Sequence, residues 1–164
     1  MCVARILISV LVAFCIAPVQ AETISGKVSR VTDGDDITVM VNGEGVKIRL
    51  NGIDCPEPKQ AFGSTAKSYT TALTYRKIVE VEVTDIDRYG RKVGIVKLPN
   101  GKILNHELVK SGLAWWYEQY APKDKVLSKL HADAQRKKIG LWSDPNAIPP
   151  WDFRRGKRPN DSQT

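Results

Sequence analysis

The tetrapeptide Asn42-Gly43-Glu44-Gly45 lies between two strand-like stretches, residues 36–41 and 45–50. Because Asn-Gly adopts positive φ angles at low cost, this sequence predicts a β-hairpin turn. Apolar and basic side chains alternate in the second stretch, so Lys47 and Arg49 leave the face that packs into the core. The hairpin therefore has one apolar face and one charged face.

Strand patterns precede helix patterns along most of the chain. Besides the hairpin, three further stretches read as strands and three read as helices, with the first helix before the fourth strand. The predicted strands are 24–32, 36–41, 45–50, 78–84 and 91–98, and the predicted helices are 61–74, 103–112 and 123–138. This order predicts a mainly β protein with α: a small five-stranded barrel covered by about three helices.

The first 21 residues have the pattern of a secretory signal peptide. Arg5 gives a positive start, residues 6–17 form an apolar run, and Val19-Gln20-Ala21 supplies small residues where signal peptidase reads them. A membrane span needs about 20 apolar residues, and Pro18 and Gln20 interrupt this run. We expect cleavage after residue 21, a secreted or periplasmic protein, and no stable membrane association. An uncleaved membrane anchor is the alternative.

The charge and the cysteine content of the mature chain limit its possible binding partners and cross-links. The 164 residues include 25 Lys and Arg against 18 Asp and Glu, a formal charge of +7. A surface of this charge favours polyanions such as nucleic acids or anionic membranes. Cleavage leaves Cys55 as the one cysteine, which we expect to be buried rather than to link two chains. We predict a monomer with one domain over residues 22–153 and a disordered basic tail over 154–164.

An acidic turn, Asp33-Gly34-Asp35-Asp36, precedes the hairpin. Such a turn is most often solvated, but the hairpin gives it a second interpretation. If the hairpin turn is centred near Gly43, residue 37 lies opposite residue 49, and Asp35 lies within a few residues of Asp54. Two neighbouring carboxylates repel each other unless a cation lies between them, and hard oxygen ligands suit Ca²⁺ or Mg²⁺.

Two further clusters carry reactive side chains. Residues 48–57 include one arginine and two acids, and Pro56 and Pro58 stiffen the backbone around Glu57, as expected if its carboxylate must be aimed. Residues 87–92 form a basic turn that opens a strand. Taken separately, the first cluster could be ordinary surface charge and the second a solvated hairpin loop.

Together, the three clusters resemble the staphylococcal nuclease family. The resemblance runs over nearly all of residues 24–143 and includes a fourth segment, Ser111-Gly112-Leu113-Ala114. Each motif alone is moderately specific, and all four in order with suitable spacing are strongly so. The resemblance implies an OB-fold barrel and a calcium-dependent phosphodiesterase that cleaves DNA and RNA and leaves 3′-phosphate ends.

The resemblance also implies a calcium site. Asp35 and Asp54 correspond to its carboxylate ligands, and Cys55 to a ligand that binds through its backbone carbonyl. A cysteine side chain would suit a hard ion poorly, which agrees with the use of the carbonyl. Asp36 stands where the family more often has Thr or Ser, so it adds a negative charge beside the expected site.

The same resemblance implies catalytic and substrate-binding groups. Arg49 and Arg91 correspond to the pair that grips the phosphate, and Glu57 to the base that acts on the attacking water. Arg88 and Tyr89 fall where the family contacts a terminal phosphate. These residue types fit the chemistry, because a guanidinium fork matches two phosphate oxygens and a positioned carboxylate accelerates proton removal.

The aromatic and histidine residues of the second half give weaker indications. Tyr117 aligns loosely with tyrosines that line the nucleotide pocket of the family, so we predict it as a substrate contact. Trp142 and Trp151 are expected to be packing anchors. His106 and His131 lack paired-ligand spacing, which predicts structural or surface roles.

Two other functions fit parts of the sequence. A non-catalytic OB-fold protein could bind single-stranded nucleic acid through a basic groove and aromatic side chains. A secreted protein could use its charge to bind anionic membrane or cell-wall polymer. Neither function requires the grouping of Asp35, Asp54 and Glu57, so this grouping favours the enzyme.

Overall fold

The computed structural model describes residues 22–158. The signal peptide predicted for residues 1–21 and the last six residues of the predicted tail, 159–164, lie outside the described residues. No helix within residues 22–158 is both long enough and apolar enough to cross a membrane.

Five strands form a closed barrel, which confirms the predicted fold class. The barrel strands are β1 (Thr23–Val31), β2 (Asp36–Val41), β3 (Glu44–Leu50), β5 (Ile78–Ile86) and β6 (Lys92–Lys97). Their order around the barrel is β1-β2-β3-β6-β5, and β3 pairs with β6 in parallel while the other pairs are antiparallel. Apolar side chains that alternate along each strand fill the interior.

The hairpin between β2 and β3 is present, but its register differs by one residue from the prediction. Asn42 and Gly43 alone form the turn, with φ angles of 52° and 87°. A two-residue turn is centred between these residues rather than on Gly43, so Asp36 lies opposite Arg49. The expected pairing of residue 37 with residue 49 is therefore wrong, although both strands keep their core faces.

The three predicted helices are confirmed with shorter ends: α1 (Gly63–Thr74), α2 (Leu104–Lys110) and α3 (Lys125–Arg136). The Asp124 side chain caps α3 by accepting hydrogen bonds from the N–H groups of Val126 and Leu127. Two further elements were not predicted: a 3-10 helix at Gly140–Ser143 and α4 at Pro150–Arg154.

A second small sheet, also not predicted, lies beside the barrel. Strand β4 (Ile53–Asp54) pairs with β7 (Trp115–Trp116), and Asp54 lies opposite Trp115. The ring of Trp115 packs against Trp142 and Trp151, with centroid separations of 4.2 and 5.8 Å. These contacts agree with the expected packing roles of both tryptophans.

A buried amide, Asn105 of α2, fastens the end of β3 to β6. Its side-chain nitrogen donates to the carbonyls of Asn51 and Gly94 at 2.9 and 3.3 Å, and its oxygen accepts from the N–H of Val96 at 3.1 Å. A polar group so deeply buried stabilises only when its partners are present. Asn105 therefore fixes the backbone between Arg49 and the following loop.

We expect Asn105→Ala to lower the free energy of unfolding by about 2–3 kcal/mol, because three backbone groups lose a buried partner. Asn100→Ala is the matched control, since Asn100 makes one turn bond to the N–H of Lys102 at an exposed position. It should cost less than about 1 kcal/mol. Urea unfolding measures both values, and equal losses in the two variants would contradict this role of Asn105.

Candidate active site

Arg49 joins two buried carboxylates that are far apart in the sequence. Its Nη1 donates to Asp35 Oδ1 at 2.6 Å, and its Nη2 donates to Asp54 Oδ1 at 2.5 Å. Asp35 and Asp54 are 1% and 0% exposed. The structure therefore brings together three of the residues that the sequence analysis assigned to one site.

Local backbone contacts hold the acidic turn in place. The hydroxyl of Thr70 on α1 donates to the carbonyl of Gly34 at 2.5 Å, and the N–H of Leu50 donates to the carbonyl of Asp35 at 2.9 Å. The N–H of Cys55 donates to Asp35 Oδ2 at 2.6 Å. The Asp35 carboxylate is thus fixed from β3, from the loop after β4 and, through the turn, from α1.

Cys55 is buried, as expected for a small packing residue. Its side chain lies against Gly34: a methyl group added at Gly34 would meet the Cys55 sulfur at 2.7 Å. The thiol therefore packs inside the protein, and only the backbone of Cys55 is suited to a polar role beside Asp35.

The backbone of Glu57 packs closely against the start of α1. A Cβ atom on Gly63 would come within 2.0 Å of the Glu57 carbonyl oxygen, so only glycine allows this approach. The Gln60 side-chain oxygen accepts from the Glu57 N–H at 3.1 Å. The Glu57 side chain is 31% exposed, so its carboxylate can reach both the site and solvent.

Arg154 belongs to the same cluster, although the sequence analysis assigned it to a disordered tail. It is the last residue of α4, and its Nη2 donates to Asp54 Oδ2 at 2.7 Å. Its Nη1 donates to Glu57 Oε1 at 2.7 Å. Pro150 at the first turn of α4 was the sequence signal for this helix.

Arg91 lies at the edge of this cluster and pairs with two other acids. Its Nη1 donates to Asp36 Oδ2 at 2.6 Å, and its Nε donates to Asp87 Oδ2 at 2.7 Å. The extra acid at position 36 thus faces Arg91. A cavity of about 300 Å³ beside this pair is lined by Thr32, Asp36, Lys47, Tyr89 and Arg91.

Arg88 and Tyr89 lie in the exposed turn before β6. Arg88 Nη2 donates to the Tyr89 hydroxyl at 2.7 Å, and the Arg91 guanidinium lies 5.7 Å from the centre of the Tyr89 ring. The Tyr117 ring stacks on Trp151 with a centroid separation of 4.5 Å, and Tyr117 is not among the residues that line the cavity beside Arg91. Tyr89 therefore lines the cavity beside Arg91, and Tyr117 does not.

Burial controls the charges at the centre of the site. It raises the pKa of the Asp35 carboxyl well above its usual range, and the Arg49 guanidinium opposes that rise. Burial and the positive charge of Arg49 also act to lower the pKa of Arg91, but hydrogen bonds to Asp36 and Asp87 raise it overall. The ionised form of Asp35 therefore depends on positive charge nearby.

The oxygen atoms of Asp35 and Asp54 are of the type that binds hard cations, but two side chains alone are too few to complete the coordination of such an ion. Within residues 22–158, no three His, Cys, Asp or Glu side chains are grouped closely enough to hold a metal ion by themselves. Asp35 and Asp54 nevertheless converge, and carboxylate and backbone oxygens are the donors that Ca²⁺ takes. The residues fit calcium if backbone carbonyls or water complete its coordination.

His131 of α3 supports the aromatic cluster behind Asp54. Its Nδ1 accepts a hydrogen bond from the backbone N–H of Trp116 at 3.2 Å, and its ring lies 4.8 Å from that of Trp142. Burial lowers the pKa of His131, so the folded protein favours the neutral ring. His131 therefore has a structural role, as the sequence analysis predicted.

Comparison with known proteins identifies a matching family model and several similar proteins. A family model described as a staphylococcal nuclease homologue matches residues 47–144. A Shigella flexneri protein named micrococcal nuclease is 42% identical over 142 residues, which cover 81% of this chain and 82% of that protein. An uncharacterized endonuclease of Escherichia coli O157:H7 is 44% identical over 140 residues, 85% of this chain and 91% of its own. Staphylococcal-like nuclease CAN1 of Arabidopsis thaliana is 40% identical over 112 residues, 68% of this chain and 34% of that protein.

The lowered pKa of His131 predicts a pH dependence of stability. Below about pH 6.5 the unfolded chain binds a proton that the folded protein resists, so the free energy of unfolding falls as the pH drops from about 7 towards 5. His131→Asn keeps an acceptor for the Trp116 N–H but cannot titrate. Its unfolding free energy, measured in urea at several pH values, should fall less over this range than that of the wild type. Identical pH dependence in the two proteins would contradict the prediction.

Proposed function

The chain belongs to the staphylococcal nuclease family, and from this premise we propose that it is a calcium-dependent phosphodiesterase that hydrolyses DNA and RNA. Relatives named as nucleases support nuclease activity on nucleic acid. The convergence of Asp35, Arg49 and Asp54 is the observation that carries the proposal, because it gathers acids and a guanidinium at one place.

Calcium is held in this proposal by the carboxylates of Asp35 and Asp54 and by the backbone carbonyl of Cys55. The short contacts from Arg49 to both acids support a shared role for these carboxylates. When bound, Ca²⁺ supplies positive charge that neutralises the phosphodiester and favours attack on it. Asp36 is paired with Arg91 and is not assigned to the ion.

Arg49 and Arg91 bind the substrate phosphate in the proposed mechanism. Each guanidinium already donates to two carboxylates, so its orientation is fixed before the substrate arrives. A guanidinium has five N–H donors, so some can serve phosphate oxygens while others hold a carboxylate. Fixed donors cost little reorganisation when negative charge develops in the transition state.

Glu57 removes a proton from the attacking water in this proposal. The water oxygen forms a bond to phosphorus while the bond to the 5′ oxygen breaks, and the departing oxygen takes up a proton from solvent water. The products are a 3′-phosphate end and a 5′-hydroxyl end. The close packing of Gly63 on the Glu57 backbone supports this role, because it fixes the backbone from which the carboxylate extends.

Arg88 and Tyr89 contact a terminal phosphate in this scheme, and Tyr117 contacts the nucleotide. The position of Tyr89 beside the cavity near Arg91 supports the first assignment. For Tyr117 the stacked Trp151 ring covers one face, so contact with a base would use the rest of the ring. We also propose that the protein acts as a monomer and is exported to the periplasm or the medium, with residues 1–21 as its signal peptide.

Incubation with single-stranded DNA and with RNA tests the proposed function. The wild-type protein should cleave both in the presence of calcium and should stop when a chelator is added, because the phosphate then loses its cation. Gel electrophoresis measures cleavage, and treatment with a phosphatase specific for 3′ ends identifies the products. Binding without cleavage would contradict the proposal and indicate the non-catalytic OB-fold protein.

The same assay assigns the base. We expect Glu57→Gln to reduce the rate by about 10²–10⁴-fold, because a positioned general base contributes about that much. Glu44→Gln is the matched control, since Glu44 lies at the exposed hairpin turn, and it should keep the wild-type rate. A Glu57→Gln variant that is as fast as this control would remove Glu57 from the proposed role.

A further inference from the structure

The C-terminal helix α4 brings a second guanidinium to the acids of the site. Arg154 lies beyond residues 47–144, the part of the chain that matches the family model. It donates to both oxygens of the Asp54 carboxylate, at 2.7 and 3.3 Å, and to Glu57 at 2.7 Å. The contacts therefore include both a proposed calcium ligand and the proposed base.

We propose that Arg154 is a built-in competitor of calcium, whose guanidinium must leave Asp54 and Glu57 before the ion binds. The inference rests on the proposed calcium site and adds a means of regulating it. A guanidinium and a calcium ion both neutralise carboxylate oxygens, and the same oxygen atoms of Asp54 cannot serve both fully. The calcium concentration then sets the fraction of molecules in which the site is open.

The surroundings of the two arginines indicate which one moves. The Arg154 side chain is 42% exposed, whereas that of Arg49 is 20% exposed. Arg49 extends from β3, which is paired on both sides within the barrel. Arg154 extends from the end of a five-residue helix at the surface. Its guanidinium can therefore move into water without disturbing the barrel.

The helix itself remains docked when the side chain moves. Trp151 of α4 stacks on Tyr117, with ring planes 20° apart. The Gln60 side-chain nitrogen donates to the carbonyl of Ile148, just before α4, at 2.5 Å. These contacts keep Arg154 close to the site after release, so it competes at a high effective concentration.

The charges explain why the competition is strong. Two arginines, Arg49 and Arg154, contact the three acids Asp35, Asp54 and Glu57 directly. Asp54 is shared by both arginines. Loss of the Arg154 guanidinium leaves the cluster more negative and frees oxygens of Asp54 and Glu57, which favours a divalent cation.

Calorimetric titration of calcium into the full-length protein tests the inference without measuring catalysis. We expect Arg154→Gln to bind calcium about tenfold more tightly than the wild type, the gain expected if the guanidinium leaves the site open in about a tenth of wild-type molecules. Arg154→Lys keeps the positive charge but lacks the forked guanidinium that spans the two acids. Its calcium affinity should therefore lie between those of the wild type and Arg154→Gln. Arg155→Gln is the matched control: it removes the same charge from the next residue, whose contact with Asp152 is 3.7 Å long.

The outcomes separate the competition from simpler explanations. Tighter binding by Arg154→Gln and unchanged binding by Arg155→Gln support it. An equal gain in calcium affinity in both variants overturns it, because the loss of one positive charge near the site would then explain the result. Unchanged or weaker binding by Arg154→Gln overturns it while leaving the calcium site in place. Failure of every protein to bind calcium overturns the calcium site of the proposed function and the competition with it.

Discussion

Burying two carboxylates side by side is costly, and Arg49 is what makes the arrangement possible in this protein. Charges removed from water are stable only when they are paired and hydrogen-bonded. Arg49 meets that requirement for Asp35 and Asp54 at once, through contacts of 2.6 and 2.5 Å. The acidic turn, the end of β3 and the short strand β4 must all meet at this guanidinium. The placement of the site therefore follows from the pairing of one partly buried arginine with two buried acids.

The barrel and its covering elements position these three residues from different directions. β3 carries Arg49, and Thr70 of α1 holds the turn that carries Asp35. Asp54 lies on β4, which is paired with β7 and backed by the aromatic cluster around Trp115. Rigid elements thus carry Arg49 and Asp54 directly and hold the turn that carries Asp35.

The sequence predicted elements whose hydrophobic pattern runs over many residues. It did not predict very short elements or contacts between residues that are distant along the chain. Alternation and helical periodicity run over many residues, so they predicted the five barrel strands and three helices. A two-residue strand such as β4 has no period to detect, and the hairpin register depended on the length of the Asn42-Gly43 turn. The pairing of Asp36 with Arg91 joins residues 55 positions apart. Arg154 lies in a basic segment, and its contacts with Asp54 and Glu57 arise only in the folded chain.

In the proposed mechanism the guanidinium of Arg49 holds both the acids and the substrate phosphate. This role is tested by the single-turnover rate of DNA cleavage by Arg49→Lys at saturating calcium. The unfolding midpoint of the same variant is measured as a control that it is folded. Lysine keeps the charge but cannot make the forked contacts, so the rate should fall by about 10²-fold or more. A folded Arg49→Lys protein that cleaves DNA at the wild-type rate would exclude this role of Arg49.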